Sequence, residues 1–324
     1  MFFIINKNQN PYFNLALEEY LLGLKINAIM LWQNEKSIIV GCNQNTSLEV
    51  NEEFAINNNI KIARRITGGG AVYHDKGNVN YTIISSDTSS IGNYDAFTLD
   101  LRDFLASLGL NPTLSGRNDI LINNKKICGN AQAIKNNMFI HHGCILFSSN
   151  TNELSQALKV NELKYEFKGI KSVKSRVTTI KDNINSDLSV NDFLKNFSEY
   201  LIKKHNLEIY NLKDSDISAV NKLVKEKYET YEWIFGNSPK YNFRNAKKTK
   251  AGVIEVNLNI INGYINNAKV YGDFFNKQDL IKLESKIIGL KHSKEELTKS
   301  IKNINEFILE ISDEEFIDLL TNKK

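Results

Sequence analysis

Two adjacent guanidinium groups and three successive glycines make Arg64-Arg65-Ile66-Thr67-Gly68-Gly69-Gly70-Ala71-Val72-Tyr73-His74 the segment of this chain best equipped for chemistry. Glycine lets a backbone take positive φ and lie directly against a ligand, and arginine's planar fork matches the oxygens of phosphate or carboxylate. The run reads as an anion-cradling loop; the plainer reading is a glycine-rich hairpin tip with solvated arginines. Lys126 is the second candidate, because it follows a tight turn at Asn123-Asn124 and precedes Gly129, where backbone can again approach a ligand. Asn118 and Asp119 offer oxygens that either hold a divalent cation or cap a local turn, and one carboxylate needs phosphate and water to complete a metal shell. Asn78, directly after Gly77, carries a donor and an acceptor and reads equally as a base-edge contact or a turn residue. His141 and His142 diverge if they lie in a strand and have no carboxylate or cysteine set at ligand spacing, so they read as structural residues beside the site. His74 stays open to a role as general base.

These residues need a scaffold. Asn10-Pro11 has the chemistry of a helix start, followed by Phe13, Leu17, Tyr20 and Leu21 at helical spacing. β-rich runs at 28–32, 37–41, 60–64, 71–73 and 79–84 flank the glycine run, without regular βαβ repetition. Residues 120–128 read as a hairpin, in which period-2 alternation puts Lys126 and Cys128 on one face and Lys125 on the other. Helical patterns recur at 152–159, 190–204 and 215–228. Turn chemistry at 236–240 and the charged, exposed stretch 247–250 mark a boundary, giving domains 1–240 and 241–324. Beyond it, alternation at 254–260 with Asn262-Gly263 predicts a hairpin, and capping boxes at Ser293/Glu296 and Ser312/Glu315 open helices of a small α+β module.

Composition narrows the function classes. The 324 residues with 42% hydrophobic content suffice for one large and one small domain. No stretch approaches the roughly 20 apolar residues of a membrane span, and the start lacks signal-peptide features, so a soluble cytoplasmic protein is expected. The three cysteines, Cys42, Cys128 and Cys144, lack metal-ligand spacing and suit free thiols in a reducing compartment. A net charge of +4 without a basic block gives nucleic-acid binding little support and is mildly suited to an acidic protein partner. No Walker A pattern occurs, so the fold is not a P-loop NTPase.

The ordered blocks Tyr12-Phe13-Asn14-Leu15-Ala16-Leu17-Glu18-Glu19, the glycine run with Asp75-Lys76-Gly77-Asn78, Gly116-Arg117-Asn118-Asp119-Ile120, Lys125-Lys126-Ile127-Cys128-Gly129-Asn130-Ala131, His141-His142-Gly143 and the segment from Lys168-Gly169 to Val177 together resemble the lipoate-protein ligase A family over nearly the whole chain. The resemblance implies an α+β fold: a mixed-sheet catalytic domain of the biotin/lipoate ligase type with a small C-terminal accessory domain, the latter marked also by Tyr271-Gly272-Asp273-Phe274-Phe275. It implies two steps. Lipoate and ATP give lipoyl-AMP, and a lysine of a lipoyl-acceptor domain, the glycine cleavage H protein or a 2-oxoacid dehydrogenase E2 subunit, then attacks. By the same resemblance Lys126 contacts the acyl carbonyl and adenylate phosphate. Arg65 lies near phosphate; Gly68 and Gly69 belong to the substrate loop; Gly70, Ala71, Val72 and Tyr73 line its nucleotide side. Asn78 would read adenine, Asn118, Asp119, Gly129 and His142 border the substrate, and Asp119 holds magnesium. Residues 168–179, with Arg176, form an adenylate-binding loop that closes after adenylation. A monomer is the default. Two rival readings are a transferase passing octanoyl or lipoyl through a thioester on Cys128 or Cys144, and a catalytically silent lipoate-binding protein.

Overall fold

A computed structural model describes residues 1–116, 118–159, 176–235 and 242–321. Its strands in chain order are β1 (Phe2–Ile5), β2 (Ala28–Trp32), β3 (Ser37–Val40), β4 (Lys61–Arg64), β5 (Val72–His74), β6 (Asn78–Ser85), β7 (Thr113–Ser115), β8 (Asp119–Ile122), β9 (Lys125–Lys135), β10 (Met138–Leu146), β11 (Glu208–Asn211), β12 (Phe243–Thr249), β13 (Gly252–Ile261) and β14 (Tyr264–Gly272). Eight of them form one sheet, in the order β11-β1-β2-β6-β10-β9-β8-β7; β4-β3-β5 and β12-β13-β14 form two smaller ones. Both larger and smaller catalytic sheets are mixed: β1 runs parallel to β2 and β11, and β3 to β4, while the other pairs beside the site are antiparallel. This is the α+β mixed-sheet architecture expected.

Alternation assigns the two faces of the large sheet. On one, Ile29, Leu31, Val79, Tyr81, Ile120 and Ile145 pack with Phe104, Phe193 and Phe197 of the helices Tyr94–Ser107 and Val190–His205. On the other, Met30, Trp32, Ile84 and Ile140 meet Phe13, Leu17 and Leu21 of the helix Pro11–Gly23. That helix starts as its sequence predicts, with the Asn10 side chain accepting from Tyr12 N and Pro11 in the first turn, where its missing N–H costs nothing. The hairpin β8–β9 turns on Asn123 and Asn124 at φ 51° and 60°, left-handed values that asparagine tolerates. Asn262 and Gly263, at 52° and 80°, do the same for β13–β14.

Two expectations fail. The charged stretch at 247–250 does not mark an exposed linker, because residues 243–249 form β12, an edge strand whose lysines and Arg244 are the kind of side chains that keep an open edge from pairing with another chain. The period-2 placement of Lys126 with Cys128 also breaks. Ile120 pairs with Cys128 but Leu121 with Lys126, so Ile127 is an extra residue, a β-bulge that resets the alternation.

The sheet β12-β13-β14 carries its own core, from Phe243 to Leu320, closed by the helices Leu280–Ile287, Lys294–Ser300 and Asp313–Thr321. Ser312 and Glu315 make both bonds of a capping box; Ser293 accepts from Glu296 N, while the Glu296 carboxylate turns to Ser300. This module abuts the glycine run. Gly69 N donates to Phe274 O at 3.2 Å, Gly272 N to Asn43 O at 2.6 Å, and Phe275 packs with Tyr94 and Ala131. Among the described residues no helix is long and apolar enough to cross a membrane.

Candidate active site

A cavity opens where the large sheet faces β3 and β5. Its wall is built from Leu15 of the first helix, Trp32 of β2, Ile39 of β3, Val72 and His74 of β5, Asn80 of β6, Lys126 and Gly129 of β9, and His142 and Cys144 of β10, with Arg65, Gly69, Gly70, Ala71 and Asn118 from loops. The bulge at Ile127 explains why residues three apart, Lys126 and Gly129, share this wall while Cys128 is buried in the core. Gly129 makes room for the lysine: a Cβ built there would lie 2.5 Å from Lys126 Nζ and 2.7 Å from its Cε. The amine is half-exposed and ion-paired with Asp119 Oδ1 at 2.7 Å. Its backbone is pinned too, since Lys126 N donates to Arg176 O and Thr178 N to Lys126 O.

Arg65 borders the cavity with its guanidinium turned to the protein. Four of its N–H groups are committed: Nε to Thr67 Oγ1, Nη1 to Ile39 O, and Nη2 to Gly68 O and Gly70 O at 2.6 and 2.9 Å. Burial lowers its pKa to about 10, so it stays charged and acts as an internal clamp that shapes the glycine loop. Arg64 is likewise committed to the carbonyls of Gly41, Gln44 and Ile234. The loop is held from beneath as well, for a Cβ on Gly41 would sit 2.1 Å from Gly69 O, and Gly69 needs φ 89°.

The structure separates the predicted loop residues. Gly69, Gly70, Ala71 and Val72 line the cavity. Gly68 instead faces the second module, where an added Cβ would lie 2.3 Å from Phe274 O. Tyr73 does not line the site, because strand alternation sends it to the opposite side, fully buried with its hydroxyl donating to Glu153. Asn78 is the turn residue, not a free base-edge reader: its Oδ1 accepts from Asp75 N and its Nδ2 donates to Cys144 Sγ. Asn118 borders the cavity and is tied to Asn130 by backbone and side-chain bonds. The block 168–175 lies outside the described residues.

The histidines diverge as a strand requires. His142 is bridged between Thr67 Oγ1 at 2.7 Å and Glu18 Oε1 at 2.9 Å, fixing the loop's base to the first helix, while His141 lies against Tyr81 and Gln132. His74 accepts at Nδ1 from Asn34 Nδ2, and burial, then the neighbouring Arg65 charge, lowers its pKa to about 3. It is a neutral wall residue and a poor general base. Burial also pushes the Cys128 thiol well up and that of Cys144 to about 12, the wrong direction for a nucleophile. Asn80 was not legible as a site residue. In an asparagine-rich chain its type says little, and only the pairing of Trp32 with Asn80 shows that it faces the cavity wall.

No group of three or more His, Cys, Asp or Glu able to hold a metal occurs among the described residues, so Asp119 stands as a single carboxylate beside the lysine. Among the described residues the arrangement offers the Lys126 ammonium and the Asp119 carboxylate at a half-exposed side, an interior that includes Leu15, Trp32, Ile39 and Val72, and no activated nucleophile. Residues 10–202 match the description of the lipoyl protein ligase A/B catalytic domain, and residues 238–320 that of the bacterial lipoate protein ligase C-terminus. Lipoate–protein ligase 1 of Staphylococcus aureus is 40% identical over 93% of either chain. Two solved structures share the fold of the catalytic part: a bipartite lipoate protein ligase of Thermoplasma acidophilum described with its E2 lipoyl domain (27% identity, TM-score 0.64, 75% of this chain and 98% of that one), and a lipoate-protein ligase A bound with ATP (25%, 0.62, 72% and 98%). Matched along both modules, this chain belongs to the lipoate-protein ligase family.

Proposed function

We propose that the chain activates lipoate with ATP and transfers it to a lysine of a lipoyl-acceptor domain, serving lipoate salvage. One observation carries the reading: the Lys126 ammonium, seated in the space left by Gly129, stands at the half-exposed side of a cavity whose lining also includes the apolar Leu15, Trp32, Ile39 and Val72. A carboxylate at Lys126 directs its carbon chain toward Leu15, Ile39 and Trp32, and the same ammonium offsets charge on the carboxylate and on the nucleotide's α-phosphate as they approach. In the first step the carboxylate oxygen attacks that phosphorus and pyrophosphate leaves. In the second a lysine ε-amine of the acceptor attacks the acyl carbon, an amide forms, and AMP leaves with the bond electrons. The backbone N–H groups of Gly70 and Ala71 bind without side-chain interference, with Arg65 holding the loop in shape. Asp119 is the residue that would hold a magnesium ion, completed by phosphate oxygens and water, and such an ion would neutralise phosphate charge.

The acceptor is a lipoyl domain of the kind carried by the glycine cleavage H protein or an E2 subunit, met by a monomer whose residues 1–240 form the catalytic domain and 241–324 the accessory one. The likeness to an ATP-bound ligase and to one described with its E2 lipoyl domain supports nucleotide and partner. The thioester reading loses support from the raised thiols of Cys128 and Cys144. Pyrophosphate release from ATP, magnesium and lipoate, with mass spectrometry of an added lipoyl domain, tests the proposal. ATP-dependent modification lost in Lys126→Ala is the expected result; modification from an acyl-carrier donor without ATP refutes it.

A further inference from the structure

Asn80 is 1% exposed, lines the cavity, and among the described residues neither its Nδ2 nor its Oδ1 has a partner. It lies directly across the β2–β6 pair from Trp32 and two strands away from Gly129, the seat of Lys126 Nζ, so it stands on the Trp32 side of that row. His74 stands in the same wall. Its Nδ1 accepts from Asn34, which places the ring hydrogen on Nε2, and Nε2 is buried without a partner among the described residues. The other polar groups bordering the wall are committed: His142 to Thr67 and Glu18, Arg65 to the loop carbonyls, Trp32 Nε1 to Thr82. Two donors, Asn80 Nδ2 and His74 Nε2, and one acceptor, Asn80 Oδ1, are therefore left without partners among the described residues on the wall they share with Trp32. Buried polar atoms without partners are costly, so a ligand that meets them gains what a ligand that misses them forfeits.

We infer that Asn80 and His74 Nε2 form a polar end-stop that selects acids whose far end carries sulfur over acids ending in a methyl group. The inference rests on the lipoate reading above. The sulfurs of a dithiolane are weak acceptors for Asn80 Nδ2 and His74 Nε2–H, and the two thiols of the reduced acid are weak donors to Asn80 Oδ1. Octanoate reaches the same place with a methyl group, which offers none of the three atoms a partner. Apolar walls alone discriminate poorly between such acids, whereas a site built around hydrogen bonds rejects the analogue that lacks them.

Calorimetric binding of free lipoate, dihydrolipoate and octanoate to the full chain tests this without ATP, alongside kcat/KM for pyrophosphate release. Wild type should prefer lipoate over octanoate by about tenfold or more. Asn80→Leu, near-isosteric and apolar, should bring the ratio toward unity, and Asn80→Thr, which keeps a donor and an acceptor, should hold an intermediate ratio. Equal affinity of wild type for lipoate and octanoate overturns the inference whatever the variants do. So does an unchanged ratio in a folded Asn80→Leu, or the same ratio in the Leu and Thr variants, which would show that the polarity of this side chain does not set the choice. A wild type that discriminates the acids but releases no pyrophosphate refutes the ligase reading and leaves this one standing.

Discussion

Gly129→Ala isolates the position of the Lys126 amine from everything else that holds the site. The new methyl carbon would lie 2.5 Å from Nζ and 2.7 Å from Cε, where ordinary contact begins near 3.4 Å. The amine must therefore retreat by roughly 1 Å, a displacement on the order of that which costs about 10²-fold when a reacting group is misplaced. The obstacle is the tip of a flexible side chain, and the position needs no left-handed φ, so the backbone can keep its path. Replacing glycine at a compatible position also restricts the unfolded chain, worth about 0.4–1 kcal/mol toward stability. The expected outcome is a melting temperature within a few degrees of wild type and kcat for pyrophosphate release lower by about 10²-fold. The readouts are thermal denaturation and a coupled pyrophosphate assay. Wild-type kcat, or a loss of activity matched by a loss of folding, would refute the argument that the glycine exists to seat the lysine.

Gly41→Ala should behave oppositely, because its Cβ would meet a backbone oxygen, Gly69 O, at 2.1 Å, and overpacking against main chain costs about 1–3 kcal/mol; denaturation and activity should fall together. Cys128→Ala should retain ATP-dependent modification of a lipoyl domain at a stability cost of about 1 kcal/mol, and mass spectrometry showing that modification abolished in a folded variant would revive the thioester route. Acid should destabilise the fold through His74 and His141, both held to about 3 by burial against 6.5 when unfolded. Between those values the unfolded state binds the extra proton, so stability is full above about 6.5 and falls as pH drops, by about 2 kcal/mol per histidine at pH 5. Urea melts of His141→Gln should show a shallower fall between pH 7 and 5 than wild type.

Local rules carried much of the scaffold. Asn-Pro opened the first helix, and paired asparagines made the hairpin that precedes Lys126, because capping and left-handed turns are decided within a few residues. Tyr73 was readable too: Val72 and His74 line the cavity, and alternation alone sends the residue between them away. What escaped depended on partners distant in sequence. The commitment of Arg65 needs Ile39 O and the folded loop, and the bulge at Ile127 needs the register with β8. Asn80 gains meaning only from standing opposite Trp32. β12 was obscured because an edge strand can be almost wholly polar.

The seat of Gly68 and Gly69 on Phe274 has a thermodynamic consequence. One hydrogen bond and one close backbone contact join the glycine loop to the second module, so the loop's conformation and the module's docking are two sides of one equilibrium. Reciprocity then applies: whatever ligand tightens the loop tightens the docked module by the same free energy, and whatever pries the module away weakens the ligand equally. A protein that draws the second module off the loop thereby acquires leverage over a cavity it never enters.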